Sequence, residues 1–114
     1  METFKIRKMT IAATDITKMV TFYNEVFESN LSQLKLDNFT LYAGKLGEID
    51  LLICPNELAK VDAKKNRQQF EFFVEDLFVI ESKAIQTGGQ VMQKVDKSMT
   101  IIDPDGNTII FTSY

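Results

Sequence analysis

The sequence of 114 residues contains no histidine, no tryptophan and only one cysteine. Histidine is the commonest metal ligand in proteins, so a tight transition-metal site is hard to build without it. The single Cys54 cannot form an internal disulfide, and no histidine is present to activate its thiol as a nucleophile. We interpret Cys54 as a small apolar residue at a strand end, in a protein of a reducing compartment.

The sequence also lacks an excess of positive charge. Its 13 Lys and Arg against 16 Asp and Glu give a net charge of −3, which disfavours nucleic acid as a partner. The short basic run at 64–67 is interpreted as a solvated loop, with a phosphate site as the alternative. No apolar run approaches the ~20 residues of a membrane span, and the first residues lack the apolar core of a signal peptide. We therefore expect a cytoplasmic protein without a nucleic-acid or membrane partner.

The length predicts one domain, residues 1–114. Within it, an order of predicted strands and one helix occurs twice. In the first half, apolar alternation predicts strands at 4–13, 31–35, 39–43 and 48–54. Thr14-Asp15 offers an N-cap for a helix that should end near Ser29-Asn30. Turns are expected at Asp37-Asn38 and at 44–47. This half reads as one βαβββ module, residues 1–54.

The second half repeats the order after a polar connection at 55–68, which we interpret as a linker. Strands are predicted at 69–74, 90–95, 99–102 and 108–112. Glu75-Asp76 opens a helix and Gly88-Gly89 ends it, as glycine after a helix commonly does. The run Asp103-Pro104-Asp105-Gly106-Asn107 turns the chain before the last strand. The second module therefore covers residues 69–114.

Alternation along the strands assigns two faces to each predicted sheet. One face should pack against the helices as the core, with Met9, Ile11, Phe70, Phe72 and Phe111 on it. The opposite face mixes polar and apolar side chains.

Three motifs carry a family resemblance. Thr14-Asp15-Ile16, the helical Phe22-Tyr23-Asn24-Glu25-Val26-Phe27, and the Asp-Pro-Asp-Gly-Asn run with its apolar strand resemble the vicinal oxygen chelate superfamily. That group contains glyoxalases, bleomycin resistance proteins and extradiol dioxygenases. The resemblance implies an α+β fold in which two βαβββ modules form a curled mixed sheet around a concave cleft. It also implies that dimerisation usually completes the cleft.

The resemblance places the four metal-ligand positions of the superfamily on Lys8, Asp50, Gln69 and Ile110. An ammonium is no ligand at neutral pH, and Ile110 has no donor atom. The remaining carboxylate and amide make a poor site for zinc, nickel or iron, and too small a set of oxygens for magnesium or calcium. We expect no metal and no other cofactor.

Lys8 and Asp50 suggest an alternative to a metal. If both face the cleft, the ammonium of Lys8 can occupy the metal position and pair with Asp50, with Gln69 adding a hydrogen bond. The competing interpretation is that Lys8 extends into solvent and Asp50 is a surface carboxylate.

The predicted cleft suits a small-molecule pocket, and it would equally suit a cavity filled by its own side chains. Its residues are Lys8, Thr10, Asp50, Leu52, Gln69, Glu71, Phe73 and Ile110.

Three functions remain open. By resemblance to bleomycin resistance proteins, a homodimer would bind a small organic molecule without a metal, and Asp50 and Glu71 would favour a cationic one. The alternative is a metal-independent lyase, isomerase or dioxygenase-like enzyme that uses Lys8, Asp50 or Glu71 in acid–base steps. The third is a regulatory module whose cleft has become core. The missing metal ligands favour binding over catalysis.

Overall fold

The computed structural model describes residues 3–60 and 68–114. The predicted α+β class and the two βαβββ units are confirmed. The elements, in chain order, are β1 (Lys8–Ala13), α1 (Ile16–Phe27), β2 (Ser32–Leu36), β3 (Phe39–Leu46), β4 (Ile49–Pro55), α2 (Asn56–Ala59), β5 (Phe70–Phe73), α3 (Leu77–Gln86), β6 (Gln90–Val95), β7 (Ser98–Ile102) and β8 (Thr108–Thr112).

Each module forms one four-stranded sheet. The first sheet has the order β1-β4-β3-β2 and the second has the order β5-β8-β7-β6. In each sheet the first strand pairs in parallel with the last strand of its module, and the other pairs are antiparallel. The two sheets are not closed into a barrel. In each sheet, most strand residues that alternate with the core residues are half-buried or exposed, and we call this side the uncovered face.

The helices begin where the sequence predicts. The Asp15 side chain accepts a hydrogen bond from the Lys18 backbone N–H at 3.1 Å, and Asp76 accepts from the N–H groups of Phe78 and Val79. Both aspartates therefore satisfy backbone donors that a helix start leaves unpaired. The first helix ends at Phe27, slightly earlier than expected, because Glu28 adopts a left-handed conformation with φ 52°.

The end of β3 and the start of β1 differ most from the prediction. The strand β3 continues to Leu46, so the turn expected at 44–47 is confined to Gly47-Glu48. Gly44 lies inside this strand, and the position requires glycine because a Cβ there would collide with the Ser29 carbonyl oxygen. The same oxygen accepts a hydrogen bond from the Lys45 N–H at 2.9 Å. The strand β1 begins only at Lys8, and residues 3–7 are exposed.

The connection between the modules is partly structured. Pro55, predicted as the first residue of the linker, is instead the last residue of β4. The four-residue helix α2 follows it directly. The basic run at 64–67 lies outside the described residues. No helix among the described residues is long and apolar enough to cross a membrane.

The core lies between the helices and one face of each sheet. Ile11 and Phe111 are buried there as predicted, and Met9 and Phe72 are partly buried against the same cluster. Phe70 departs from the prediction, since 39% of its surface is exposed. It lies at the start of β5, at the mouth of a cavity described below.

Candidate functional site

The uncovered face of the first sheet holds four of the eight predicted cleft residues. Lys8 lies directly opposite Asp50, and Thr10 lies opposite Leu52, across the parallel pair β1 and β4. A groove of about 580 Å³ runs over this face. We call it the first-sheet groove; its lining residues include Arg7, Lys8, Leu34, Lys35, Leu36, Asp50 and Leu52.

Asp50 does not pair with Lys8 in this groove. Its carboxylate accepts a hydrogen bond from the Lys45 ammonium at 2.7 Å, because Lys45 is the neighbour of Asp50 on the other side, in β3. That hydrogen bond and the charge of Lys45 lower the pKa of the Asp50 carboxyl, with Arg7 and Lys8 adding smaller contributions. The hypothesis of a Lys8–Asp50 pair in a dry pocket is therefore wrong, and Lys8 is exposed to solvent.

The uncovered face of the second sheet holds three more of the predicted residues. Glu71 lies opposite Ile110, and Phe73 lies opposite Thr112. The Glu71 carboxylate accepts a hydrogen bond from the Thr112 hydroxyl at 3.4 Å, and the ring of Phe73 contacts that of Tyr114 with centroids 4.3 Å apart. Gln69, the eighth residue, is exposed just before β5.

The eight predicted residues thus divide between two surfaces. Lys8, Asp50 and Leu52 line the first-sheet groove, while none of the second-sheet residues does so. Within one chain the two uncovered faces are therefore separate halves.

A second concavity, which we call the inter-module cavity, lies between the modules beside α1 and has a volume of about 300 Å³. It opens where β1 of the first module meets the starts of β5 and β8 of the second. Its lining residues are Lys8, Met9, Thr10, Ile11, Tyr23, Phe27, Leu46, Gln68, Phe70, Phe72, Asn107, Thr108 and Ile109. The sequence does not predict this cavity, because several of its lining residues, such as Met9 and Ile11, have the spacing of core positions.

The run at 103–107 connects the second module to the first helix. The buried Asp103 carboxylate accepts hydrogen bonds from the Tyr23 hydroxyl at 3.0 Å, from the Asp105 N–H at 3.0 Å, and from the backbone and side chain of Asn107 at 2.9 Å each. Asp105 accepts from the N–H of Thr14 at 2.7 Å and more weakly from that of Asp15. The predicted turn is present, with φ 89° at Gly106, and it also joins the two modules.

Burial changes the acidity of both partners in this network. Burial raises the pKa of the Asp103 carboxyl, while the hydrogen bonds from Asn107, Tyr23 and Asp105 act in the opposite direction. Burial and the neighbouring Asp103 carboxylate raise the pKa of the Tyr23 hydroxyl well above its ordinary value. Tyr23 therefore stays protonated and donates to Asp103 over the ordinary pH range.

The donor set at the four positions of the superfamily does not fit a transition metal. Lys8 and Ile110 supply no ligand atom, and the Asp50 carboxylate is already held by Lys45. Within 3–60 and 68–114, no cluster of three or more Cys, Asp and Glu side chains could hold a metal ion. We therefore assign no metal to these four positions.

Comparison with solved structures supports the fold. A fosfomycin resistance protein from Mesorhizobium loti superposes with a TM-score of 0.71 at 13% identity, covering 98% of this chain and 91% of that one. A glyoxalase/bleomycin resistance protein/dioxygenase family enzyme from Burkholderia phytofirmans gives 0.71 at 15% identity, covering 93% of this chain and 95% of that one. Lactoylglutathione lyase from Agrobacterium tumefaciens gives 0.67 at 22% identity, covering 96% and 92%.

A search of curated proteins finds no match to this chain. The model of one protein family, by contrast, matches residues 8–112, nearly the whole length. The predicted resemblance to the vicinal oxygen chelate superfamily is confirmed, and the chain belongs to the family described as the glyoxalase-like domain.

Proposed function

We propose that this protein binds a small organic molecule without a metal, in clefts that a second copy of the chain completes. The observation that carries the proposal is the first-sheet groove. Its volume of about 580 Å³ lies in the range of small-molecule sites, and it mixes apolar walls with a few charged groups.

The charges in the groove favour an anionic ligand. Arg7 and Lys8 line it, and the one carboxylate among its described lining residues, that of Asp50, is already paired with Lys45. The cationic ligand expected from Asp50 and Glu71 is disfavoured here for that reason, since Glu71 lies on the other sheet.

Exposed apolar side chains on both uncovered faces support a homodimer. Leu34 and Leu36 of the first sheet are each 50% exposed, and Phe73 of the second is 60% exposed. Apolar surface of this kind is stabilised when a partner covers it. Apposing the first sheet of one copy with the second sheet of another would bring the two halves of the predicted cleft together.

Acid–base catalysis is not proposed. The Asp50 side chain is 48% exposed, and Lys8 and Glu71 are exposed as well. A strongly shifted pKa in a water-excluded cleft is the usual condition for such chemistry.

The test is a thermal-shift screen of purified protein against matched organic anions, cations and neutral analogues, with sedimentation velocity on the same sample. We expect a dimer and a rise in Tm with anions, because a ligand that binds only the folded state stabilises it. Arg7→Gln should reduce that rise, and Lys35→Gln, which changes an ammonium that is hydrogen-bonded to Thr40, is the control that should leave it unchanged. A monomer, a response to cations alone, or stoichiometric zinc, nickel or iron in the purified protein would contradict the proposal.

A further inference from the structure

The inter-module cavity is a separate concavity from the groove of the proposed function. Its walls include Tyr23 and Phe27 of α1, whereas the lining of the groove includes no helix residue among those described. Of the described residues, Lys8, at the edge of the first sheet, is the one that lines both. A ligand in the cavity would therefore touch neither Asp50 nor the apolar residues of β2.

Aromatic rings form one wall of the cavity. Phe27 stacks on Tyr23 with centroids 5.2 Å apart and planes inclined by 13°. Phe27 also meets the edge of Phe72 at 4.9 Å. The Tyr23 hydroxyl donates a hydrogen bond to Asp103. We therefore count the ring of Tyr23, and not its hydroxyl, as part of this wall. The rings are held in place by one another, so the wall is formed before any ligand arrives.

Polar groups lie among these apolar walls. Lys8, Gln68 and Thr108 line the cavity together with the rings. The described residues place no carboxylate within ion-pair distance of the Lys8 ammonium; the lysines that form ion pairs there are Lys18, Lys45 and Lys94. An ammonium beside amide and hydroxyl donors is suited to a carboxylate.

We propose that the inter-module cavity binds a flat aromatic acid of one or two rings. The ring of the ligand packs on Phe27, Phe72 and Tyr23, and its carboxylate pairs with Lys8. The volume of about 300 Å³ matches the small end of known ligand pockets, which limits the ligand to this size. The proposal does not depend on the groove, and either site could exist without the other.

The first test uses the absence of tryptophan from the chain. Phe70→Trp places a single indole at the mouth of the cavity, and Leu36→Trp places one in the groove as a matched control. Both positions are partly exposed, so both variants should fold. Titration with naphthoate should change the fluorescence of F70W in a saturable way, and that change should persist when Arg7→Gln removes a charge that lines the groove but not the cavity. A change in F70W that is lost with Arg7→Gln, or no saturable change in F70W, would overturn the proposal.

The second test isolates the charge. Lys8→Met should weaken naphthoate binding, measured by calorimetry on the tryptophan-free protein, about fivefold, as expected for a partly exposed ion pair. Lys45→Met is the matched control, since Lys45 does not line the cavity, and it should bind as tightly as the unchanged protein. Neutral naphthylmethanol should bind K8M and the unchanged protein alike. An equal loss in K8M and K45M would contradict the assignment.

Failure here is distinguishable from failure of the proposed function. If L36W responds to organic anions and F70W does not, the groove is the site and the cavity is not. If F70W responds to naphthoate while the thermal-shift screen shows no anion whose effect Arg7→Gln reduces, the cavity is supported and the groove is not.

Discussion

The two modules share an order of elements but differ in how deeply their helices are buried. In the first module, α1 buries Met19, Phe22, Tyr23 and Val26. In the second, α3 buries only Ala84. Both helices show an apolar stripe in the sequence, so periodicity alone does not decide burial. The first helix contacts β4 of its own sheet and, through Phe27, also Phe72 and Phe111 of the second sheet, whereas α3 contacts β6 and β7 of its own sheet and α1.

The corresponding loops differ in the same direction. The connection between β3 and β4 is the short turn Gly47-Glu48, which serves only its own hairpin. The connection between β7 and β8 reaches across to α1 through Asp103 and Asp105. The second module is therefore tied to the first helix by polar contacts that have no counterpart in the first module's turn.

Truncating one phenylalanine in each helix should give the largest contrast. Phe22 is fully buried, and Phe78 is 72% exposed. Phe22→Ala should lower the free energy of unfolding by about 4 kcal/mol, because it leaves a cavity in the core. Phe78→Ala should change it by less than about 0.5 kcal/mol. Urea denaturation followed by circular dichroism measures both. If F22A does not fold, Phe22→Leu should still be clearly less stable than F78A, and equal losses in the two helices would break the comparison.

The contrast between the loops predicts the next largest effect. Asp103→Ala removes the acceptor of four hydrogen bonds inside the protein. Buried donors left unpaired are costly, so we expect a loss of about 3 kcal/mol in the free energy of unfolding. Asp96→Ala, in the exposed turn between β6 and β7, is the matched control and should cost less than about 0.5 kcal/mol. Similar losses in both variants would show that the run at 103–107 acts only as a turn.

Much of the fold follows from local signals. The caps Asp15 and Asp76 and the bounds of β6 and β8 lie where the sequence predicts them, because capping and strand alternation depend on neighbours in the chain. The sequence predicts Gly44 in a turn, but this glycine lies inside β3. Its position there is set by the close approach of the Ser29 backbone from another part of the chain, which a local pattern cannot show.

The candidate site was predictable only in part. The resemblance to a known family put Lys8 and Asp50 on one face, and the structure places them opposite each other. The sequence predicts Lys45 in a turn, whereas it lies in β3 directly opposite Asp50. For that reason the sequence does not indicate Lys45 as the ion-pair partner of Asp50. The inter-module cavity arises from how the two modules meet, and no spacing within either module encodes that arrangement.

The link between the modules should also appear in the pH dependence of stability. Burial and Asp103 raise the pKa of Tyr23 in the folded protein, so above about pH 10 the unfolded chain loses this proton first. The free energy of unfolding should therefore be unaffected by this group below about pH 10 and should fall above it, by up to about 1.4 kcal/mol per pH unit. Tyr23→Phe should lack this contribution, and Tyr114→Phe, at an exposed position, should follow the unchanged protein. Parallel pH curves for Y23F and the unchanged protein would contradict it.

The smallest expected effect concerns the uncovered face of the first sheet, where substitutions should change the pKa of Asp50 rather than the stability of the protein. Because Lys45 is the main cause of the lowered pKa of Asp50 and Lys8 a minor one, Lys45→Met should raise that pKa, measured by carbon-13 NMR titration, more than Lys8→Met does. Neither change should move the urea midpoint measurably, since ion pairs between exposed side chains contribute little to stability. A larger rise in K8M than in K45M would restore Lys8 as the partner of Asp50. In that case the charge of Lys8 would be committed to the uncovered face of the first sheet, and the aromatic acid proposed for the inter-module cavity would lose its counter-ion.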